Sequence, residues 1–95
     1  MMISQLSIAP VGVGTSLSRY VRIVLDVIRK NNIKFETNDM ATVIETEDLD
    51  TLFKVVKEAH TAVIDAGAKR VITELKIDDR RDKDVRLGSK IKSLQ

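Results

Sequence analysis

Lys34-Phe35-Glu36-Thr37-Asn38-Asp39-Met40-Ala41-Thr42-Val43-Ile44-Glu45 reads as two short strands, Lys34 to Asn38 and Ala41 to Glu45, joined by a tight corner at Asn38-Asp39-Met40. On either side lies an amphipathic helix. Upstream, Leu17, Tyr20, Val21, Val24, Leu25 and Ile28 recur at i, i+3, i+4 and i+7, the spacing of a buried helical stripe. Thr15-Ser16 stand where N-cap residues belong, and Asn31-Asn32 stop the run. Downstream, Leu49, Leu52, Phe53, Val56, Ala59, His60 and Val63 form a second stripe. Glu47, Asp48 and Asp50 complement the positive end of that helix, and Gly67 is placed as a left-handed C-cap.

Outermost are two further strands. Met2 to Ala9 sets Met2, Leu6 and Ile8 on one face and Ile3, Gln5 and Ser7 on the other, and Pro10 ends it by removing a backbone donor. Arg70 to Asp78 alternates Val71, Thr73, Leu75 and Ile77 with Glu74, Lys76 and Asp78. The order strand, helix, strand, strand, helix, strand is the split βαβ plan. The expected fold is therefore a single α+β, ferredoxin-like domain over residues 1–95: a four-stranded antiparallel sheet with two helices on one face. A tail carrying Leu87, Ile91 and Leu94 in helical register is too short to stand alone, and must dock on its own domain or on a neighbour. The uncovered sheet face keeps apolar residues such as Ile3 and Ile72, and covering it by self-association predicts a homo-oligomer.

The bulk numbers bound the function class. Ninety-five residues with 43% hydrophobic and 32% charged content make one small folded domain. Its net charge of +2 comes from 16 basic and 14 acidic residues well mixed along the chain, which gives no nucleic-acid stripe. Without cysteine there is neither a disulfide framework nor a thiolate zinc site. No apolar run approaches the ~18 residues of a membrane helix, and the opening Met1-Met2-Ile3-Ser4 lacks a signal peptide's basic flank. A cytoplasmic protein without membrane, metal or cofactor is expected.

Several motifs invite a sharper reading. The loop Pro10-Val11-Gly12-Val13-Gly14-Thr15-Ser16 runs from a strand into a helix, but has no P-loop lysine, and Leu17 stands where a dinucleotide fingerprint needs its third glycine. A turn that needs glycine is the better account. Asp78-Asp79-Arg80-Arg81-Asp82-Lys83-Asp84 lacks the glycine and terminal glutamate of a calcium loop and reads as a solvated strand extension. One of its arginines can still hold an acid or phosphate. His60 is the sole histidine and lies on the apolar stripe, where a hydrogen-bonded core residue fits better than a nucleophilic triad. An RNA recognition surface would stack bases on aromatics of strands one and three, yet Tyr20, Phe35 and Phe53 all lie elsewhere. Thr42 and Glu45 sit on a central strand, and a buried glutamate there needs a partner such as a cationic or aminopyrimidine ligand.

Taken in order, Ile8-Ala9-Pro10-Val11-Gly12, Ser16-Leu17-Ser18-Arg19-Tyr20-Val21, Asn38 through Glu45, His60, Gly67-Ala68-Lys69-Arg70-Val71 and Ile77-Asp78-Asp79-Arg80-Arg81-Asp82 resemble the small thiamine-binding protein family over nearly the whole chain. The resemblance implies a ferredoxin-like domain that assembles into a homodimer or homotetramer through its sheets. It also implies a site near subunit interfaces for thiamine or its hydroxymethylpyrimidine part, in salvage, delivery or sensing rather than catalysis. On the matching positions, Thr42 and Glu45 line the pocket, Asn38 and Met40 shape its wall, and Arg80 anchors an anion or locks the interface. Aromatics for stacking a pyrimidine are scarce, which leaves Met40 and aliphatic side chains to do it. Two other classes compete: a structural or regulatory protein-interaction module with a vestigial ligand site, and an acylphosphatase-like hydrolase. The hydrolase lacks the glycine-rich loop with an adjoining arginine that its chemistry wants.

Overall fold

In the computed structural model, which describes residues 1–15 and 17–95, the chain runs β1 (Met2–Pro10), α1 (Ser18–Lys30), β2 (Lys34–Thr37), β3 (Thr42–Thr46), α2 (Leu49–Asp65), β4 (Val71–Asp78) and α3 (Ser89–Ser93). The strands form one sheet in the order β2-β3-β1-β4, and every neighbouring pair is antiparallel. This is the expected ferredoxin-like α+β arrangement. Crossovers through α1 and α2 place both helices on one face, so β1 and β3 become the central strands.

Strand register fixes which side chains share a face. Ser4 lies opposite Ile44 and Ile77, and Leu6 opposite Thr42 and Leu75, so these residues look toward the helices. Ile3, Gln5, Val43, Glu45, Lys76 and Asp78 occupy the other, open face. Between sheet and helices lies one core: Leu6, Tyr20, Val24, Leu25, Ile28, Ile44, Leu52, Val55, Ala59, Val63 and Ala68. Two core positions carry hydroxyls, Ser4 Oγ and Thr46 Oγ1, buried without a partner among the described residues.

Both helices bury a narrower stripe than their sequences offer. On α1 the buried residues are Tyr20, Val24, Leu25 and Ile28, whereas Leu17 and Val21 remain exposed. On α2 the buried line is Leu52, Val55, Ala59 and Val63, and the expected stripe members Leu49 and Phe53 lie outside it. A four-stranded sheet covers only the helix surface that faces it, and the flanks of a wide apolar stripe stay uncovered. The ends follow local chemistry. Asp48 Oδ1 accepts from Thr51 N–H at 2.8 Å, which caps α2. After Ala66, Gly67 takes φ +116°, while Gly67 N–H and Ala68 N–H donate to the Ile64 and Val63 carbonyls, a Schellman ending. The start of α1 departs from expectation. Leu17 occupies the N-cap position and no side chain among the described residues caps the helix, so Thr15 does not play that role, and Ser16 lies outside the described residues.

The tail returns across the open face. Val85 is buried, the Met1 ammonium pairs with Asp84 at 3.0 Å, Leu87 N–H donates to Glu45 Oε1 at 2.9 Å, and Lys90 pairs with Asp78 at 3.0 Å. Docking on its own domain is thus achieved by residues 84–90, while Ile91 and Leu94 of the terminal turn remain exposed. No helix among the described residues is long and apolar enough to cross a membrane.

Candidate functional site

A cleft of about 120 Å³ opens at the end of the sheet where β1, α1 and the β2–β3 corner meet. Its apolar wall is Leu6 and Ile8 from β1 with Val21 and Val24 from α1. Val21, left 45% exposed by the packing of α1, is therefore a wall residue of the cleft and not a core residue. The opposite wall is Thr37, Asn38, Asp39, Met40, Ala41 and Thr42.

That second wall is rigid for identifiable reasons. Asn38 Oδ1 accepts from Met40 N–H at 2.8 Å and from Ala41 N–H at 3.1 Å, closing an Asx turn. Asn38 N–H donates to the Ala41 carbonyl at 3.0 Å. The Thr37 and Thr42 hydroxyls lie 2.9 Å apart across the hairpin. With its oxygen used by the turn, the Asn38 carboxamide keeps its NH2 group as a donor. The corner also holds Met40 outward, 86% exposed, so a flexible thioether stands at the mouth.

The five expected site residues separate into three places. Asn38, Met40 and Thr42 share this cleft. Glu45 does not share it. Three residues along a strand reverse the side-chain direction, so Thr42 faces the helices and Glu45 the open face. There the Glu45 carboxylate, in a residue 8% exposed, receives the Leu87 N–H; within one chain its partner is the tail. Within one chain, Thr42 and Glu45 therefore do not line the same cleft. Arg80 lies beyond the end of β4, donating to both oxygens of Asp82 at 2.7 and 3.0 Å. That pairing raises the guanidinium above its ordinary value and holds the Asp82 carboxyl below the usual carboxylate range.

Sequence reasoning missed Leu6, Ser7, Ile8, Val21, Val24, Thr37, Asp39 and Ala41 as cleft residues. Only Asp39 left a signal: a charged residue at a corner whose turn is closed by its neighbour Asn38. The other candidates take structural positions. His60 Nδ1 and Thr73 Oγ1 lie 2.6 Å apart and tie α2 to β4. Gly12 and Gly14 adopt φ of +82° and +81°, a conformation that favours glycine. Among the described residues no group of three or more histidine, aspartate or glutamate side chains is placed to hold a metal ion.

Comparison with known proteins places these features in a wider set. The profile of a family described as thiamine-binding protein matches residues 4–95. A UPF0045 protein from Methanothermobacter thermautotrophicus is 46% identical over 96 residues, covering all of this chain and 97% of its own length. The crystal structure of hypothetical protein MJ1052 from Methanocaldococcus jannaschii superposes with a TM-score of 0.89 at 42% identity, covering 98% of this chain and 94% of that one. A Thermotoga maritima protein proposed to act in thiamine biosynthesis or salvage superposes with a TM-score of 0.82, over 99% of this chain and 98% of that one. At 19% identity the last likeness is one of fold.

Proposed function

The chain belongs to the thiamine-binding protein family, and from that premise we propose that it is a non-enzymatic, cytoplasmic binder of thiamine or its hydroxymethylpyrimidine part. The observation that carries this reading is the joining of Asn38, Met40 and Thr42 with an apolar wall in one cleft. A pyrimidine is a flat, weakly polar ring with hydrogen-bonding groups on its edge. Leu6, Ile8, Val21 and Val24 offer its face an apolar surface, Met40 closes over it without an aromatic, and the Asn38 NH2 donates to a ring nitrogen. Asp39 accepts from the exocyclic amine or balances the thiazolium charge.

At about 120 Å³ the cleft is smaller than the ~300–1,000 Å³ of pockets that enclose a whole small molecule. One ring fits, and a second copy of the chain, seated against the exposed Met40, completes the enclosure in a homodimer or homotetramer. Glu45 and Arg80 act outside this cleft, Glu45 by holding the tail.

Calorimetric titration of the full chain with thiamine and hydroxymethylpyrimidine, at an oligomeric state fixed by light scattering, tests the reading. Asn38→Asp keeps the oxygen that closes the turn and removes the amide donor; Thr42→Val keeps shape and removes the hydroxyl. Each is expected to weaken binding by about tenfold, or ~1.4 kcal/mol, without altering assembly. Equal affinity in both variants and the native chain would remove the cleft from consideration. A second reading, a protein-interaction module, draws on the exposed apolar residues Phe53, Ile91 and Leu94. Co-purification of a stoichiometric partner, together with no heat from either small molecule, would favour it.

A further inference from the structure

The charge on the cleft wall bears on which form of a ligand the site takes. Within one copy of the chain, Asp39 is the only ionisable side chain among the described residues that line it, and no lysine or arginine of that copy joins them. Nor does Asp39 form an ion pair with any described residue, so its negative charge stands uncompensated at the mouth. The cations of neighbouring elements do not line the cleft, and Arg22 of α1 is exposed without an ion pair among the described residues. Arg19 of α1 donates to the Ala66 carbonyl at 3.1 Å and lies over the Tyr20 ring. Lys30, Lys54 and Lys57 line a separate groove between α1 and α2. Arg80 and Arg81 are held by Asp82 and Asp79.

A phosphate ester carries nearly two negative charges at neutral pH and is bound where cations or converging backbone N–H groups meet it. Here the wall presents a carboxylate instead. Thiamine itself carries a positive thiazolium, and hydroxymethylpyrimidine is neutral. We infer that this cleft is a charge filter, set by Asp39, that admits the unphosphorylated, neutral or cationic ligand and turns away its phosphate esters. The inference rests on the binding reading above and adds the class of ligand that the site takes. A binder with this preference serves the stage before phosphoryl transfer to the ligand's hydroxyl group.

The test is calorimetric titration of the full chain with thiamine, thiamine monophosphate and thiamine diphosphate, at low and high salt. Both esters are expected to bind at least about tenfold more weakly than thiamine, with the gap shrinking as salt screens the repulsion. Asp39→Asn narrows the gap, and Asp39→Lys reverses the order. Asp39 is exposed and its side chain makes no hydrogen bond with the described residues, so neither substitution removes a contact that the fold depends on. Esters that bind as tightly as thiamine overturn the filter and leave the binding reading standing. An undiminished gap in Asp39→Asn overturns the assignment to Asp39. No heat from thiamine itself sinks the binding reading, and the filter with it.

Discussion

Glu45→Gln separates the two roles open to the one buried carboxylate on the open sheet face. In the native chain Glu45 Oε1 accepts from Leu87 N–H at 2.9 Å, and the residue is 8% exposed, so water competes poorly for the bond. A hydrogen bond to a charged group contributes about 1.5–3 kcal/mol net, and a neutral one about 0.5–1.5 kcal/mol. Glutamine keeps an oxygen acceptor of the same reach, so the substitution costs about 1 kcal/mol in the hold on the tail. That energy appears as an opening equilibrium about fivefold more favourable for the segment around Leu87. Amide hydrogen exchange read residue by residue gives the number directly: Leu87 protection falls about fivefold, while protection in β1 and β3 is kept. Thiamine affinity stays at its native value, because the cleft lies on the other face of the sheet. Unchanged Leu87 exchange with weakened thiamine binding would refute this reasoning and return Glu45 to the ligand.

Two further outcomes follow from the same geometry. Ile44 is fully buried at the centre of the core, so Ile44→Ala leaves a cavity and lowers stability by about 2–5 kcal/mol, and Ile44→Val by only about 0.5–1.5 kcal/mol, in urea unfolding; equal losses would mean that the site collapses freely. Asp84 is held below the usual carboxylate range first by the Met1 ammonium and then by Arg86, and a carboxylate lowered in the folded state stabilises above its ordinary value, near pH 4, losing that contribution as pH falls through the lowered value. Exchange protection of the tail is therefore flat from about pH 7 to 5 and falls below about pH 4; a loss already present near pH 6 would implicate another group.

Much of the architecture was legible because local and global preferences agree. Asp48, Gly67 and the Asn38-Asp39-Met40 corner each carry their own structural instruction, and the alternation in Val71 to Ile77 states which side of the last strand meets the helices. The apolar stripes were wider than the core that used them. Periodicity reports that Val21 and Phe53 are apolar, but only the sheet's position shows that they fall on its margin. Val21 consequently belongs to the cleft. The placing of Thr42 and Glu45 in one pocket came from resemblance, and within one chain an odd separation along a strand puts the two side chains on opposite faces. The path of the tail left no such trace. Leu87 reaches Glu45 through its backbone N–H, a group that every residue but proline possesses, across 42 positions of sequence. Hydrophobic spacing in the tail marked Ile91 and Leu94, yet Val85 is the side chain buried there.

The most direct measurement is a thiamine titration of the isotopically labelled full chain, followed through the backbone amide resonances. Shifts concentrated at Asn38, Asp39, Met40, Ala41 and Thr42, with companions at Val21 and Val24, are the predicted result. Shifts confined to Glu45, Leu87 and the open face, or none at millimolar ligand (~4 kcal/mol of affinity or less), would contradict the cleft as the binding site.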